Sequence, residues 1–297
     1  MPSLRNRLAE SKISQNGELM SINWFPGHMN TAKREIAQAM GKVRIVIEVL
    51  DARIQSSSEN PVIGSLRGNT PHIKVLNKRD LADPAVTRTW LSHLNGQPGL
   101  TAVALHRNEP AEIRALIQLG RSLLPDSRSN NAQTTAMVLG IPNCGKSTLI
   151  NTLVGRKVAT TSNRPAVTRK QQRIRFSDDF WLLDTPGMLW PKLSPPECGY
   201  RLAVTGAIRD GVLDFEDIAC FAARYLIDTY PDALAKRYSL VDIPSDEMEL
   251  LQIIGRRRGC VGRGGIINIE KASELLIQDI RHGALDQISF ERPSVGT

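Results

Sequence analysis

The string GIPNCGKST at residues 140–148 constrains this chain more than any other feature. Gly140 and Gly145 bracket a stretch in which successive backbone N–H groups must wrap a phosphate, and side chains at those points would obstruct it. Lys146 can then reach the β- and γ-phosphate oxygens of a nucleotide, and Ser147 can present its hydroxyl to Mg²⁺. Asn143, Cys144 and Thr148 complete the nucleotide contacts. Such a loop works only between a strand and a helix whose positive dipole end favours the anion. Both are present: TTAMVLG (134–140) is an apolar strand, and KSTLINTLVG (146–155) has helical spacing.

The other parts of a nucleotide switch follow at the expected kind of place. DTPG (184–187) ends the apolar run FWLLD, so Asp184 is placed to hold the metal and Gly187 to offer its N–H to the γ-phosphate. Between the two motifs, PAVT (165–168) supplies Thr168 as a second candidate Mg²⁺ ligand, in a loop that would order around the γ-phosphate. NKRD (77–80) closes the strand HIKVLNK. There Asp80 can accept from guanine N1–H and the 2-amino group, a donor pair adenine lacks. Asn77 can bond the base edge and nearby backbone, Lys78 can lie along the ring, and Arg79 completes the motif. AVALHR (102–107) lies where a loop backing the base belongs, without the usual Ser-Ala pair.

The order of these parts is unusual. A Ras-like protein begins with the phosphate loop and ends with the base motif, whereas here the base motif comes first. Ligand sites in such sheets form at the carboxyl ends of strands, and domain termini often lie close together, so a chain cut elsewhere can keep its site. The expected fold is therefore α/β: a circularly permuted Ras-like P-loop GTPase domain, its mostly parallel sheet flanked by helices, followed by a small all-helical C-terminal domain.

VRIVIEVLD (43–51), HIKVLNK (72–78) and GLTAVAL (99–105) read as strands, PAEIRALIQLGRSLLP (110–125) as a helix, and QQRIRF with FWLLD as a hairpin around Ser177–Asp179. From about residue 197 the pattern becomes helical, over 214–230, 245–259 and 268–283, with Ser245 and Asn268 as expected caps. This divides the chain into an extension without fixed structure (1–21), the permuted domain (22–196) and a helical domain (197–297). Charge changes at the same boundary: residues 1–199 carry 26 basic against 15 acidic side chains, and residues 200–297 carry 12 against 15. The overall net charge of +8 favours polyanionic partners without demanding them. No apolar run approaches the roughly 18 residues of a membrane span, so no integral membrane association is expected. The four cysteines form no Cys-x-x-Cys pair, which points to a reducing compartment and away from zinc.

Taken together, NWFPGHM (23–29), VLDARI (49–54), NP (60–61), NKRD, GIPNCGKST, DTPGML and the closing RRRGCVGRGGIINIEKASELLIQDIRHGALDQISFE resemble the circularly permuted GTPases of the ribosome biogenesis GTPase A (YlqF-like) family. The resemblance covers residues 22 to about 292. It implies a GTP-hydrolysing factor for late maturation of the large ribosomal subunit. Such a factor binds the precursor and its ribosomal RNA in the GTP state, is activated by the particle, and leaves on hydrolysis. The implied locale is bacterial cytoplasm, with a mitochondrial matrix as the alternative, and the implied state is a monomer. Ala166 departs from the glycine usual in the family's switch segment.

After DTPG, Met188 and Leu189 stand where Ras-like proteins use a glutamine to orient the attacking water. The resemblance offers His28 as a displaced catalytic side chain, beside Lys146. It offers Asn143 as the residue that lets relatives hold K⁺ near the β–γ bridge. Arg256, Arg257, Arg258 and Arg263 cluster within an otherwise acidic segment, which reads as a local RNA contact or as a solvated helix end. Two other functions compete: a regulatory GTPase switch whose C-terminal helices bind a protein effector, and a phosphotransferase acting on a small molecule.

Overall fold

Among the described residues six strands build one sheet, and the motifs lie at the carboxyl ends of its parallel strands. In the computed structural model, which describes residues 28–124, 133–159, 171–190, 193, 195–208 and 214–293, these are β1 (Ile45–Asp51), β2 (His72–Asn77), β3 (Leu100–Leu105), β4 (Thr134–Gly140), β5 (Gln172–Arg175) and β6 (Phe180–Asp184). The order is β3-β2-β1-β4-β6-β5. All neighbours run parallel except the edge pair β5–β6. Register aligns the functional ends: Asp51 lies opposite Asn77, Val49 opposite Gly140, and Val138 opposite Asp184. The strand order reverses at β1–β4, the place where parallel sheets of this kind bind ligands. The permutation thus leaves the base strand β2 and the phosphate strand β4 on either side of β1.

Around the sheet lie α1 (His28–Met40), α2 (Gln55–Ser58), α3 (Pro61–Arg67), α4 (Pro84–Asn95), α5 (Pro110–Ser122) and α6 (Lys146–Val154). Proline in the first turn opens α3, α4 and α5, where its missing N–H costs nothing. Asn60 caps α3 by accepting from Val62 N at 3.0 Å, and Asp83 caps α4 from Ala85 N at 2.8 Å. One face of β1 and β4 buries Ile47, Val49, Ala136 and Val138, while the other packs Val46, Met137 and Leu139 with Ile36 and Ile63.

Then come, among the described residues, α7 (Pro196–Val204), α8 (Phe215–Thr229), α9 (Pro231–Tyr238), α10 (Glu247–Arg257) and α11 (Ile269–His282). Of these, α7 and α9 were not visible as periodic segments. Asn268 caps α11 as expected, accepting from Lys271 N at 2.8 Å. At α10 the cap is Asp246 and not Ser245: the Asp246 carboxylate accepts from Glu249 N at 2.8 Å, while Ser245 N donates back to the Glu249 carboxylate at 3.0 Å. This is a reciprocal capping arrangement displaced by one residue. The helices do not stand off from the sheet. Ile218, Ala222, Leu226, Leu250, Leu276, Ile277 and Phe290 continue the apolar cluster that contains Ile47 and Val138. Burying that surface, at about 25 cal/mol per Å², holds the C-terminal helices against the nucleotide-binding half.

Among the described residues no helix is long and apolar enough to cross a membrane.

Candidate functional site

The phosphate loop leaves β4 at Gly140 and enters α6 at Lys146. Gly145 is at φ +95°, and a Cβ there would lie 2.1 Å from the side-chain nitrogen of Asn77. No other residue type fits that position. Asn77 is buried, and its Nδ2 donates to Cys144 O at 2.7 Å. The first residue of the base motif is therefore bonded to the phosphate loop. Cys144 is buried too, and burial pushes its thiol up to about 11. It is an inert packing group at neutral pH.

DTPG is threaded against the same loop. Thr185 Oγ1 donates to Val138 O at 2.9 Å, and Met188 N donates to Gly140 O at 3.2 Å. A Cβ at Gly187 would sit 3.0 Å from Pro142 N, so only glycine allows this approach without displacing the loop. Lys146 and Asp184 are both buried and form an ion pair through Asp184 Oδ1. The second carboxylate oxygen, Asp184 Oδ2, is buried without a hydrogen-bond partner. That orphaned acceptor suits a divalent cation, and the Ser147 hydroxyl sits in the adjoining first turn of α6. Among the described residues no cluster of three or more His, Cys, Asp or Glu could hold a metal. Mg²⁺ takes few protein ligands and completes its shell with phosphate oxygens and water. Thr148, half-buried, follows in the same turn. Thr168 lies outside the described residues. His28 opens α1, and its side chain lies outside them as well.

On the base side, Lys78 holds a left-handed conformation, φ 61°. Its Nζ donates to Asp51 Oδ2 at 2.8 Å. Asp80 follows in a single 3₁₀ turn, Arg79–Leu81, with its carboxylate 3.4 Å from His106 Nε2. The AVALHR loop thus reaches the base motif through His106. Arg79 does not join its neighbours: its guanidinium turns to α5, pairing with Glu109 at 2.5 Å and Glu112 at 3.0 Å and donating to Ala104 O at 3.0 Å. Partial burial lowers its proton affinity, but the two glutamates outweigh this and raise it.

Sequence reading passed over Asp51 and Arg53. Arg53 is 1% exposed and grips Asp51 through Nε at 2.9 Å and Nη2 at 2.8 Å. Burial alone would raise the Asp51 carboxyl, but Arg53 and Lys78 beside it hold it well below the usual carboxylate range. The only signal was the acid closing an apolar strand in VLDARI. Asn143, at φ 58°, donates through Nδ2 to Gly206 O at 2.7 Å, which joins the phosphate loop to the turn after α7. Arg256, Arg257 and Arg263 are exposed around the turn between α10 and α11, beside Ile266, which is 73% exposed. Arg258 also pairs with Asp279 at 3.3 Å.

Comparison with known proteins agrees with this geometry. A family model described as 50S ribosome-binding GTPase matches residues 135–217. The chain is 42% identical over 281 residues to Ribosome biogenesis GTPase A of Bacillus pumilus, covering 92% of this chain and 99% of that protein. It is likewise 42% identical over 283 residues to the protein of that name from Priestia megaterium, covering 93% and 98%. Among solved structures, GNP-bound YlqF from T. maritima superposes with a TM-score of 0.64 at 26% identity, covering 89% of this chain and 99% of that one. A GDP-bound YlqF structure matches with a TM-score of 0.63. The fold of this chain is that of a circularly permuted GTPase, it hydrolyses GTP, and it belongs to the ribosome biogenesis GTPase A family.

Proposed function

We propose that this GTPase is an assembly factor for late maturation of the large ribosomal subunit. It binds the precursor and its ribosomal RNA with GTP in place, is activated by the particle, and departs after hydrolysis. The relatives' names and the family description favour a ribosomal partner. The observation that carries the reading is the exposed arginine turn of Arg256, Arg257 and Arg263, mounted on helices that are bonded directly to the nucleotide site. Residues 197–297 act as the ribosome-binding domain, the protein works as a monomer, and its bacterial relatives favour cytoplasm over a mitochondrial matrix.

The chemistry follows from the site. When nucleotide enters, Lys146 leaves Asp184 for the β- and γ-phosphate oxygens, and Asp184 with Ser147 and Thr168 is freed to hold Mg²⁺. Held by those residues, Mg²⁺ would neutralise charge developing on the phosphoryl oxygens. Asn77 and Asp80 read the guanine edge, and Lys78 lies along the ring. Met188 and Leu189 are buried apolar side chains, 7% and 3% exposed, so neither orients water. His28 takes that role. Asn143 would help to hold K⁺, which would supply positive charge where other GTPases use an arginine. His28→Ala should lower kcat with GTP affinity nearly unchanged, and turnover should be faster in K⁺ than in Na⁺.

The deciding experiment measures GTP hydrolysis in K⁺ buffer with purified large or small ribosomal subunits. Stimulation by the large subunit alone is the expected result. No stimulation by either, with retention on a protein partner instead, would favour an ordinary switch with a protein effector.

A further inference from the structure

We propose that Asp51 and Arg53 are positioning residues for guanine recognition, holding Lys78 in place and tying it to the C-terminal helix α11. The proposal rests on the reading that Asn77–Asp80 face the base. Lys78 sits in a left-handed conformation that a lysine keeps only when its surroundings hold it. What holds it is Asp51 Oδ2, 2.8 Å from Nζ. Asp51 is brought there by register, since it lies directly opposite Asn77 in the β1–β2 pairing.

Arg53 fixes the direction of that carboxylate. Its Nε and Nη2 take the two oxygens, and its backbone N–H donates to Oδ1 at 3.1 Å. The remaining guanidinium nitrogen, Nη1, donates to Ile280 O at 3.2 Å, in the last turn of α11. Its backbone carbonyl accepts from Phe290 N at 2.7 Å, just beyond that helix. Asp51 N is itself held by Ser58 Oγ at 3.1 Å. Each guanidinium nitrogen and both carboxylate oxygens of the pair thus have a stated partner.

A buried ion pair is a poor means of stabilising a fold, because apolar replacements are often neutral or better. A planar, two-pronged grip on a carboxylate does one thing an apolar pair cannot: it presents an acceptor oxygen in one direction. Here that oxygen is given to the lysine of the base motif. The Lys78 side chain remains 24% exposed, so its stem keeps an open side along which a purine can lie.

The test is binding of fluorescent mant-GDP to the full-length protein. Asp51→Asn and Arg53→Met should each weaken binding about tenfold, the usual scale for losing one charge-assisted contact. Arg53→Lys should recover only part, since an ammonium cannot hold both oxygens. In steady-state hydrolysis the loss should fall on KM for GTP and not on kcat. The decisive readout is a double-mutant cycle. With Lys78→Met in place, adding Asp51→Asn should change GDP affinity less than about twofold. Additive losses overturn the proposal, because Asp51 would then act on the fold at large. Should Asp51→Asn not fold, the same cycle with Arg53→Lys decides. The base-motif reading is tested separately by Asp80→Asn, which should shift preference from GDP to xanthosine diphosphate, whose base carries a carbonyl in place of the 2-amino group. A shift together with an additive cycle removes the positioning role alone. No shift removes the base-motif reading, and the proposal with it.

Discussion

The side-chain nitrogen of Asn77 donates a 2.7 Å hydrogen bond to the carbonyl oxygen of Cys144, across 67 residues of chain. The base motif and the phosphate loop are therefore one bonded unit, although they lie far apart in sequence and permutation has reversed their order. Gly145 is the residue that leaves room for this bond, and it provides the first prediction.

Gly145→Ala puts a methyl group 2.1 Å from the Asn77 amide and forces alanine to φ +95°. Both effects oppose the loop geometry, and the backbone term alone is on the order of 1–2 kcal/mol. GDP affinity should fall by more than about tenfold, as read by calorimetric titration. The unliganded melting temperature should fall less than it does for a core truncation such as Leu276→Ala, which costs about 2–5 kcal/mol.

Asp184→Asn removes the acid that pairs with Lys146 in this arrangement and that is proposed to hold the metal in the nucleotide complex. It leaves a buried ammonium without its counter-charge, a change typically worth about 3–5 kcal/mol. The variant should melt earlier than wild type without nucleotide. It should also lose the extra stabilisation that Mg²⁺ gives to the GDP complex. Equal Mg²⁺-dependent shifts in the two proteins would remove Asp184 from the metal site.

Asp51 contributes a pH dependence of known sign. Its folded pKa is depressed, chiefly by Arg53 and Lys78 working against burial. It therefore binds its proton more weakly in the folded state than in the unfolded chain, whose value is near 3.9. The stability it contributes is complete above that value and is lost as pH falls toward the folded pKa. Denaturant midpoints measured below about pH 4 should fall less steeply for Asp51→Asn than for wild type.

Reversing charge at Arg256, Arg257 and Arg263 should weaken binding to large-subunit precursors and flatten its salt dependence. If each arginine meets one phosphate, the logarithmic salt slope should fall by about two to three units. An unchanged slope, measured by sedimentation at several salt concentrations, would place the ribosomal contact elsewhere on the helices.

The chemical parts of the nucleotide site were legible because phosphate and metal binding demand particular residue types at short, local spacing. GIPNCGKST and DTPG each follow an apolar run that marks a strand end. The strand pattern of 43–51, 72–78 and 99–105 held for a related reason: buried parallel strands are continuous apolar runs. Helices α7 and α9 escaped notice because short segments opened by proline carry too few turns to establish a period. Ser245 reads as the cap in place of Asp246 because adjacent capping residue types look alike in sequence, and only the bond to Glu249 N separates them.

What the sequence by itself determined was the inventory: the reactive groups, their permuted order and the α/β and helical segments that carry them. Which of those groups are engaged with one another was decided by tertiary structure. Arg79 sits inside the base motif yet turns to Glu109 and Glu112. Asn143 donates to Gly206, 63 residues away, and Arg53 to Ile280, 227 residues away. The last two bonds exist only once the C-terminal helices have buried their apolar faces against the sheet. That docking depends on complementary surfaces formed by the whole chain, and no local spacing encodes it.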